Sequence, residues 1–364
     1  MMVLRYVVYL GILSAVFVGC TGPPIPQELE QAEVQEHDLW KIGGPLYAPQ
    51  DYERYVLALR RAKEDLARER SKFFFVRDYG QVQAELQALL RDGEKLRLEA
   101  EGQKNARAVA VANQIGLAQA RIEHLGRLAS MINEGSLARK SLTRADLALI
   151  EAQHLCQKGE FDSAQERLNR LQGYLKDAQE TLAPILTRYT GHTQIATWRR
   201  MVEETVAESR RRGNLAIVVS KLDRRLTVYR DGSLIKTYPV AIGRAGSSLK
   251  LYAGDRATPE GKYSIIKKRP TSAYYKALLI NYPNDEDRRK FSAARERGSI
   301  PRSVGIGGLV EIHGGGKDGM TYGCIALENH HMAEIFDLVE VGTRVTIVGS
   351  TDYRNSISSA LDEP

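Results

Sequence analysis

The chain has 364 residues, 43% of them apolar and 27% charged. That length suits two or three domains, and the composition is ordinary for a soluble chain with a sizeable core. A collagen-like, disulfide-knotted, polytopic membrane or wholly disordered protein is therefore excluded. The net charge of +7 is uneven: residues 214–349 hold 21 Lys and Arg against 14 Asp and Glu, a basic surface that suits an acidic substrate. The three cysteines, Cys20, Cys156 and Cys324, are too few for a disulfide scaffold.

The N-terminus reads as an export signal. Arg5 precedes an apolar run from Tyr6 to Val18, shorter than the ~20 residues needed to span a bilayer but suited to a signal h-region. The run ends in Phe17-Val18-Gly19-Cys20, which resembles a bacterial lipobox. The resemblance implies that residues 1–20 are a lipoprotein-type signal peptide and that Cys20 is lipidated, holding the protein to a membrane. Thr21 stands where Asp commonly retains such lipoproteins in the inner membrane. A periplasm-facing place on the outer membrane of a Gram-negative bacterium is the expectation.

Residues 21–50, with their prolines and glycines, read as a flexible linker. Residues 51–212 then read as helical, with no proline between Pro49 and Pro184 and abundant Ala, Leu, Glu and Arg. Tyr52, Tyr55, Leu59, Ala62 and Leu66 draw one apolar stripe at 3–4 spacing, and Ile115, Ala118, Ile122, Leu125, Ala129 and Ile132 draw another. Asn133-Glu-Gly135 reads as a helix stop, Thr143 with Asp146 as a capping box, and Lys158-Gly159 as the turn of a helical hairpin over Ala145–Leu175. Cys156 within it reads as a buried, inert thiol. This region could be a spacer or could bind an envelope protein partner. His124, His154 and His192 show no ligand spacing.

From Asn214 the period changes from 3.6 to 2. Strands are expected at Leu215–Val219, Leu226–Tyr229, Leu234–Ile242, Gly261–Lys267, Lys276–Tyr282, Gly308–Ile312 and Gly342–Val348, with a hairpin turn at Asp231-Gly232. Helices are expected at Asp285–Arg297 and Asn329–Val339. The fold class is thus multidomain: all-α helical hairpins, then a mainly-β sandwich or barrel over 214–349, with 350–364 as a polar tail.

One constellation carries chemistry: Glu311-Ile-His313-Gly-Gly-Gly-Lys-Asp-Gly-Met-Thr-Tyr-Gly323-Cys324-Ile-Ala-Leu-Glu-Asn329. A cysteine attacks as thiolate and needs a base or a positive field beside it. His313 at the end of a strand can supply that if the glycine-rich loop folds back. Gly323 lets backbone approach a reacting carbonyl. N–H groups at Gly323 and Cys324 could form an oxyanion hole, and Asn329 could hold the turn. His330 and His331 are adjacent on a helix and read as pointing different ways, so no metal pair is expected.

These residues resemble the L,D-transpeptidase catalytic domain (YkuD-type) family. His313-Gly314, Thr321, Gly323, Cys324, Ile325 and Asn329 match its catalytic motif. The run Gly254-Asp255-Arg-Ala-Thr258-Pro259-Glu260-Gly261-Lys-Tyr263 matches a second family segment, so the likeness covers roughly 214–348. It implies that Cys324 is the nucleophile and His313 the proton donor and acceptor, with the Gly314 carbonyl orienting the ring, Gly323 in the oxyanion hole, and Tyr322 and Asn329 in contact with substrate. It implies no cofactor or metal and no nucleic acid partner; the substrate would be peptidoglycan stem peptides. Tyr322 stands where the family has a second His and Ala326 where it has Arg. Three readings therefore remain: a transpeptidase, a cysteine-dependent L,D-carboxypeptidase or amidase, and a non-catalytic envelope scaffold acting through its helices.

Overall fold

The computed structural model describes residues 23–133, 137–316 and 321–362. The export segment, Cys20, the end of the expected helix stop and residues 317–320 of the glycine-rich loop lie outside them. The described chain forms two compact units. One runs to Asn113 and includes Lys158–Phe161; the other holds Gln114–Gln157 and everything from Asp162 onward.

The first unit contains α1 (Glu28–Lys41), α2 (Gly44–Tyr47), α3 (Pro49–Ser71) and the beginning of α4 (Gly80–Asn133). The stretch expected to be a flexible linker is thus largely helical. Its prolines start helices rather than break them: Pro45 and Pro49 sit in the first turns of α2 and α3, where a missing N–H costs nothing. Ala32 and Leu39 of α1 join Tyr55, Leu59, Ala62 and Leu66 of α3 and Val82, Leu86 and Leu89 of α4 in one core. A Cβ at Gly93 of α4 would lie 2.7 Å from the Tyr55 ring, so a glycine there lets the helices approach closely.

The second unit contains the rest of α4 with α5 (Arg139–Gln157), α6 (Phe161–Thr190) and α7 (His192–Arg212). The second apolar stripe is buried at Ala118, Ile122, Leu125, Ala129 and Ile132. Gly159, with φ +78°, turns the chain between α5 and α6. Those helices run as a hairpin tied by Glu151–Arg167 at 3.2 Å and by the Arg144 guanidinium 5.9 Å from the Tyr174 ring. Helix α5 begins at Arg139, so Thr143 lies inside it and is not a cap. Cys156 is free and half-buried rather than fully buried.

The sheet and its helices follow, with β7 and α10 beyond the expected elements: β1 (Leu215–Ser220), β2 (Arg225–Arg230), β3 (Ser233–Pro239), β4 (Gly261–Ser272), β5 (Tyr275–Ile280), α8 (Asp285–Glu296), β6 (Glu311–His313), β7 (Ile325–Ala326), α9 (Asn329–Leu338), β8 (Arg344–Val348) and α10 (Ser356–Asp362). Asp231 and Gly232 both have positive φ, as a tight β2–β3 hairpin requires. The strand order is β3-β2-β1-β8-β4-β5-β6-β7. Pairing is antiparallel except for β1·β8 and β6·β7. Beyond β3 the chain curls onto the other edge, where Ala241 and Ala326 exchange two backbone hydrogen bonds of 2.9 Å. That contact bends the mixed sheet round on itself and satisfies edge groups that would otherwise be open. The core inside is formed by alternate residues such as Ile217, Val219, Leu226, Val228, Tyr263, Val345 and Ile347.

Helix α7 covers the outer face of β1 and β8. Trp198 packs where Gly349 has no side chain, and Thr205 and Thr346 share a 2.6 Å hydrogen bond. Residues 350–364 are more than a polar tail. Ile357 and Ala360 of α10 are buried, and the Asn355 amide donates to the Tyr189 carbonyl at 2.8 Å.

Candidate active site

Strands β6 and β7 place the two chemically active side chains. They pair in parallel, Ile312 opposite Ile325 and His313 opposite Ala326. Ile312 and Ile325 belong to the core. Side chains alternate along a strand, so His313 and Ala326 share the other face, and Cys324 immediately precedes β7. The sequence separates His313 from Cys324 by a loop; the sheet sets His313 at the end of β6 and Cys324 immediately before the neighbouring β7.

His313 is 5% exposed. Its Nδ1 lies 2.6 Å from the Gly314 carbonyl oxygen, which can only accept, so the proton sits on Nδ1 and Nε2 carries the lone pair. Tyr274 stacks on the imidazole with centroids 4.5 Å apart and planes 29° apart. Burial pulls the His313 pKa below 6.5, partly opposed by the Gly314 carbonyl and the Glu311 carboxylate.

Cys324 is free and half-buried. Its Sγ lies 3.8 Å from the Leu309 carbonyl, toward which the thiol donates. Burial raises its pKa above 9.0; the Glu311 backbone and Lys250 work against that rise, and the Glu311 carboxylate adds to it. Both directions favour the uncharged forms, thiol and imidazole.

The turn before Cys324 is pinned from three sides. The Thr321 hydroxyl donates to the Cys324 carbonyl at 2.7 Å and accepts from the Gly323 N–H at 3.2 Å. Arg244 N–H donates to the Thr321 carbonyl at 3.0 Å, and Gly243 N–H donates to the Thr258 hydroxyl at 2.8 Å. Gly323 has φ +128°, and a Cβ there would sit 2.8 Å from the Ala257 carbonyl oxygen. Both facts require glycine. The Gly323 N–H, expected to face an oxyanion, is engaged by Thr321 instead.

Asn329, the first residue of α9, accepts from the Gly315 N–H at 2.8 Å, holding the start of the glycine-rich loop. A Cβ on Gly314 would lie 2.6 Å from that Asn329 oxygen. Tyr322 is 71% exposed, with the Arg256 guanidinium 5.5 Å from its ring centre. The sequence reasoning missed Tyr274, Arg256, Leu309 and Gly243. Tyr275 and Leu309 adopt positive φ, which no residue type there announces. Gly243, directly after an expected strand, was the one readable signal. His330 and His331 do not diverge: their rings lie 3.9 Å apart, and His331 rests against the Tyr238 ring at 5.2 Å.

Beneath the second family segment lies a buried charge cluster. Lys221 Nζ donates to Glu260 Oε1 at 3.0 Å and to the carbonyls of Ser248 and Thr258 at 2.7 and 3.0 Å. Arg188 of α6 donates to Glu260 Oε2 at 2.6 Å. Burial alone would raise the Glu260 pKa, but Lys221 and Arg188 together hold it below the usual carboxylate value. Burial draws the Lys221 pKa down from 10.5, and the Glu260 carboxylate works against that fall.

Residues 214–347 match the family model of the L,D-transpeptidase catalytic domain. YafK of Escherichia coli is 31% identical over 147 residues, which cover 39% of this chain and 52% of YafK. YqjB of Bacillus subtilis is 28% identical over 136 residues, 37% of this chain and 72% of YqjB. The names of both assign them to the L,D-transpeptidases. A structure of Bdellovibrio bacteriovorus Bd1075 aligns at 24% identity over 41% of this chain and 52% of that one, with a TM-score of 0.29. The chain spans about half the length of YafK. The likeness expected over 214–348 is thus found in the family model over 214–347.

Proposed function

We propose that this protein is a peptidoglycan L,D-transpeptidase that works through a thioester on Cys324. The observation that supports this most is the pairing of β6 with β7, which brings the singly protonated His313 opposite Ala326, two residues after Cys324. The substrate is a tetrapeptide stem carrying a terminal D-Ala. His313 Nε2 takes the thiol proton as Sγ attacks the carbonyl of the penultimate residue. The C–N bond to D-Ala breaks, and the proton passes from the imidazolium to the leaving amine. An acceptor amine from a second stem then gives its proton to His313 as it attacks the thioester. The new amide forms and the cysteine leaves and is reprotonated. Gly314 fixes the ring by its carbonyl. With the Gly323 N–H engaged, the Cys324 N–H is the donor this reading assigns to the developing oxyanion. Tyr322 and Arg256 would receive the peptide, and Asn329 keeps the loop in place for it.

Product analysis separates the readings. Purified protein incubated with tetrapeptide muropeptides gives new cross-linked dimers if an amine is the acceptor. Shortened or released peptides would indicate water, and no covalent change would indicate a binding scaffold. Cys324→Ser folds normally and loses turnover by orders of magnitude, because an alcohol is a far weaker nucleophile without a stronger base.

A further inference from the structure

The connection between α3 and α4 ends in an apolar tip. The two helices share one core, with Leu66 near the end of α3 and Val82 near the start of α4 both buried. The segment between them therefore caps a helical hairpin. Phe73, Phe74, Phe75 and Val76 are 77%, 44%, 72% and 54% exposed and form a short 3-10 turn over Phe74–Val76. Their rings pack on each other: Phe73 stacks on Phe75 at 5.8 Å, and Phe74 meets Phe75 edge-on at 5.4 Å. Tyr79 then returns to the core. A connection made only to turn the chain would use Gly, Asn, Asp or Ser. In sequence these rings are flanked by Arg68, Arg70, Lys72 and Arg77 against Glu69 and Asp78; Lys72 pairs with Glu69 at 2.5 Å and Arg68 with Asp65, and the Arg77 Nε donates to the Lys72 carbonyl at 2.9 Å, closing the base of the tip.

We propose that this tip inserts into the surface of an anionic lipid bilayer. The exposed rings at the apex of this hairpin pack on one another, whereas a protein-binding face presents a broader packed patch with a polar rim. Aromatic rings sit well at headgroup depth, and the cations around them meet lipid phosphates while their stems stay in apolar surroundings. The contact is independent of any acylation at Cys20 and of the chemistry at Cys324.

The test uses the full chain with Phe74→Trp, mixed with vesicles of brominated phosphatidylcholine with or without phosphatidylglycerol. The expected result is loss of most of the introduced indole's emission on anionic vesicles, beyond the quenching of Trp40 and Trp198 in the unaltered chain, and recovery of that emission as salt is raised. No added quenching on anionic vesicles overturns the proposal, as does equal, salt-insensitive quenching on neutral ones. Adding Phe73→Ser and Phe75→Ser should abolish the quenching without changing the melting temperature; its persistence would also overturn the proposal. A photocrosslinker at position 74 should capture lipid in native membranes, and capture of protein instead of lipid counts against insertion.

Discussion

At the scale of single residues, the proposed chemistry turns on two groups whose burial favours their uncharged forms. His313 is drawn below its ordinary pKa of 6.5 and Cys324 is pushed above 9.0, each first by burial. A general base must be unprotonated, so kcat/KM for acylation should hold level from about pH 6.5 to 9 and fall only on the acid side, below the ordinary histidine value. Alkylation by iodoacetamide, which needs thiolate, should be slow at pH 7 and climb through and beyond pH 9. Fast alkylation that stays level down to pH 6 would instead indicate a resting thiolate–imidazolium pair. Replacing His313 by Gln should cost about 10²–10⁴-fold in turnover, the usual worth of a positioned base, while leaving alkylation at high pH intact. Much of this was legible beforehand, because a His, a glycine-rich loop and a Gly-Cys pair are local signals. The protonation balance was not, since it depends on burial and on Glu311, Lys250 and Gly314 meeting in space.

At the scale of elements, the site rests on backbone held from below. The cluster of Lys221, Glu260 and Arg188 joins the turn after β1, the second family segment and α6. That segment carries Thr258, which holds Gly243, and Ala257, which faces Gly323. Replacing Glu260 by Ala leaves two cations without their carboxylate, and breaking a buried pair in this way costs about 3–5 kcal/mol. A clear drop in melting temperature should follow, with partial loss of activity through the Cys324 turn. Glu260 is held below its unfolded value, so its contribution is present above pH 4.5 and is lost as pH falls further through the folded value. A Glu260→Ala protein with unchanged melting would show the cluster to be incidental.

The strand pattern was readable at this scale because period-2 alternation and the Asp231-Gly232 turn are written locally. The two-residue β7 was not, since its strand character comes from pairing with β6 and Ala241. The stretch at 21–50 misled for a physical reason: Pro45 and Pro49 read as breakers, but at a helix's first turn they are starters. The tail misled because Ile357 and Ala360 are too few to show as a stripe, and only their packing gives α10 its place.

At the scale of the whole molecule, the sheet does not stand alone. Helices α6 and α7 belong to the same compact unit as the catalytic-type domain, through Arg188, Tyr189, Trp198 and Thr205. Removal of residues up to 213 should therefore leave a sheet domain that is poorly soluble or unfolded; a soluble, cooperatively melting fragment from Asn214 would contradict this. No helix among the described residues is long and apolar enough to cross a membrane. Membrane attachment through Cys20 remains our proposal, resting on the lipobox-like run alone. Cys20→Ala should release the protein from the membrane fraction of an expressing bacterium, and continued sedimentation would argue for another attachment.

The most direct measurement is peptide mass spectrometry after brief incubation with a tetrapeptide stem or a carbapenem. We predict an acyl adduct on the peptide bearing Cys324, absent in Cys324→Ala and formed far more slowly in His313→Gln. No adduct at Cys324, or equal labelling of Cys156, would contradict the assignment of that sulfur as the nucleophile.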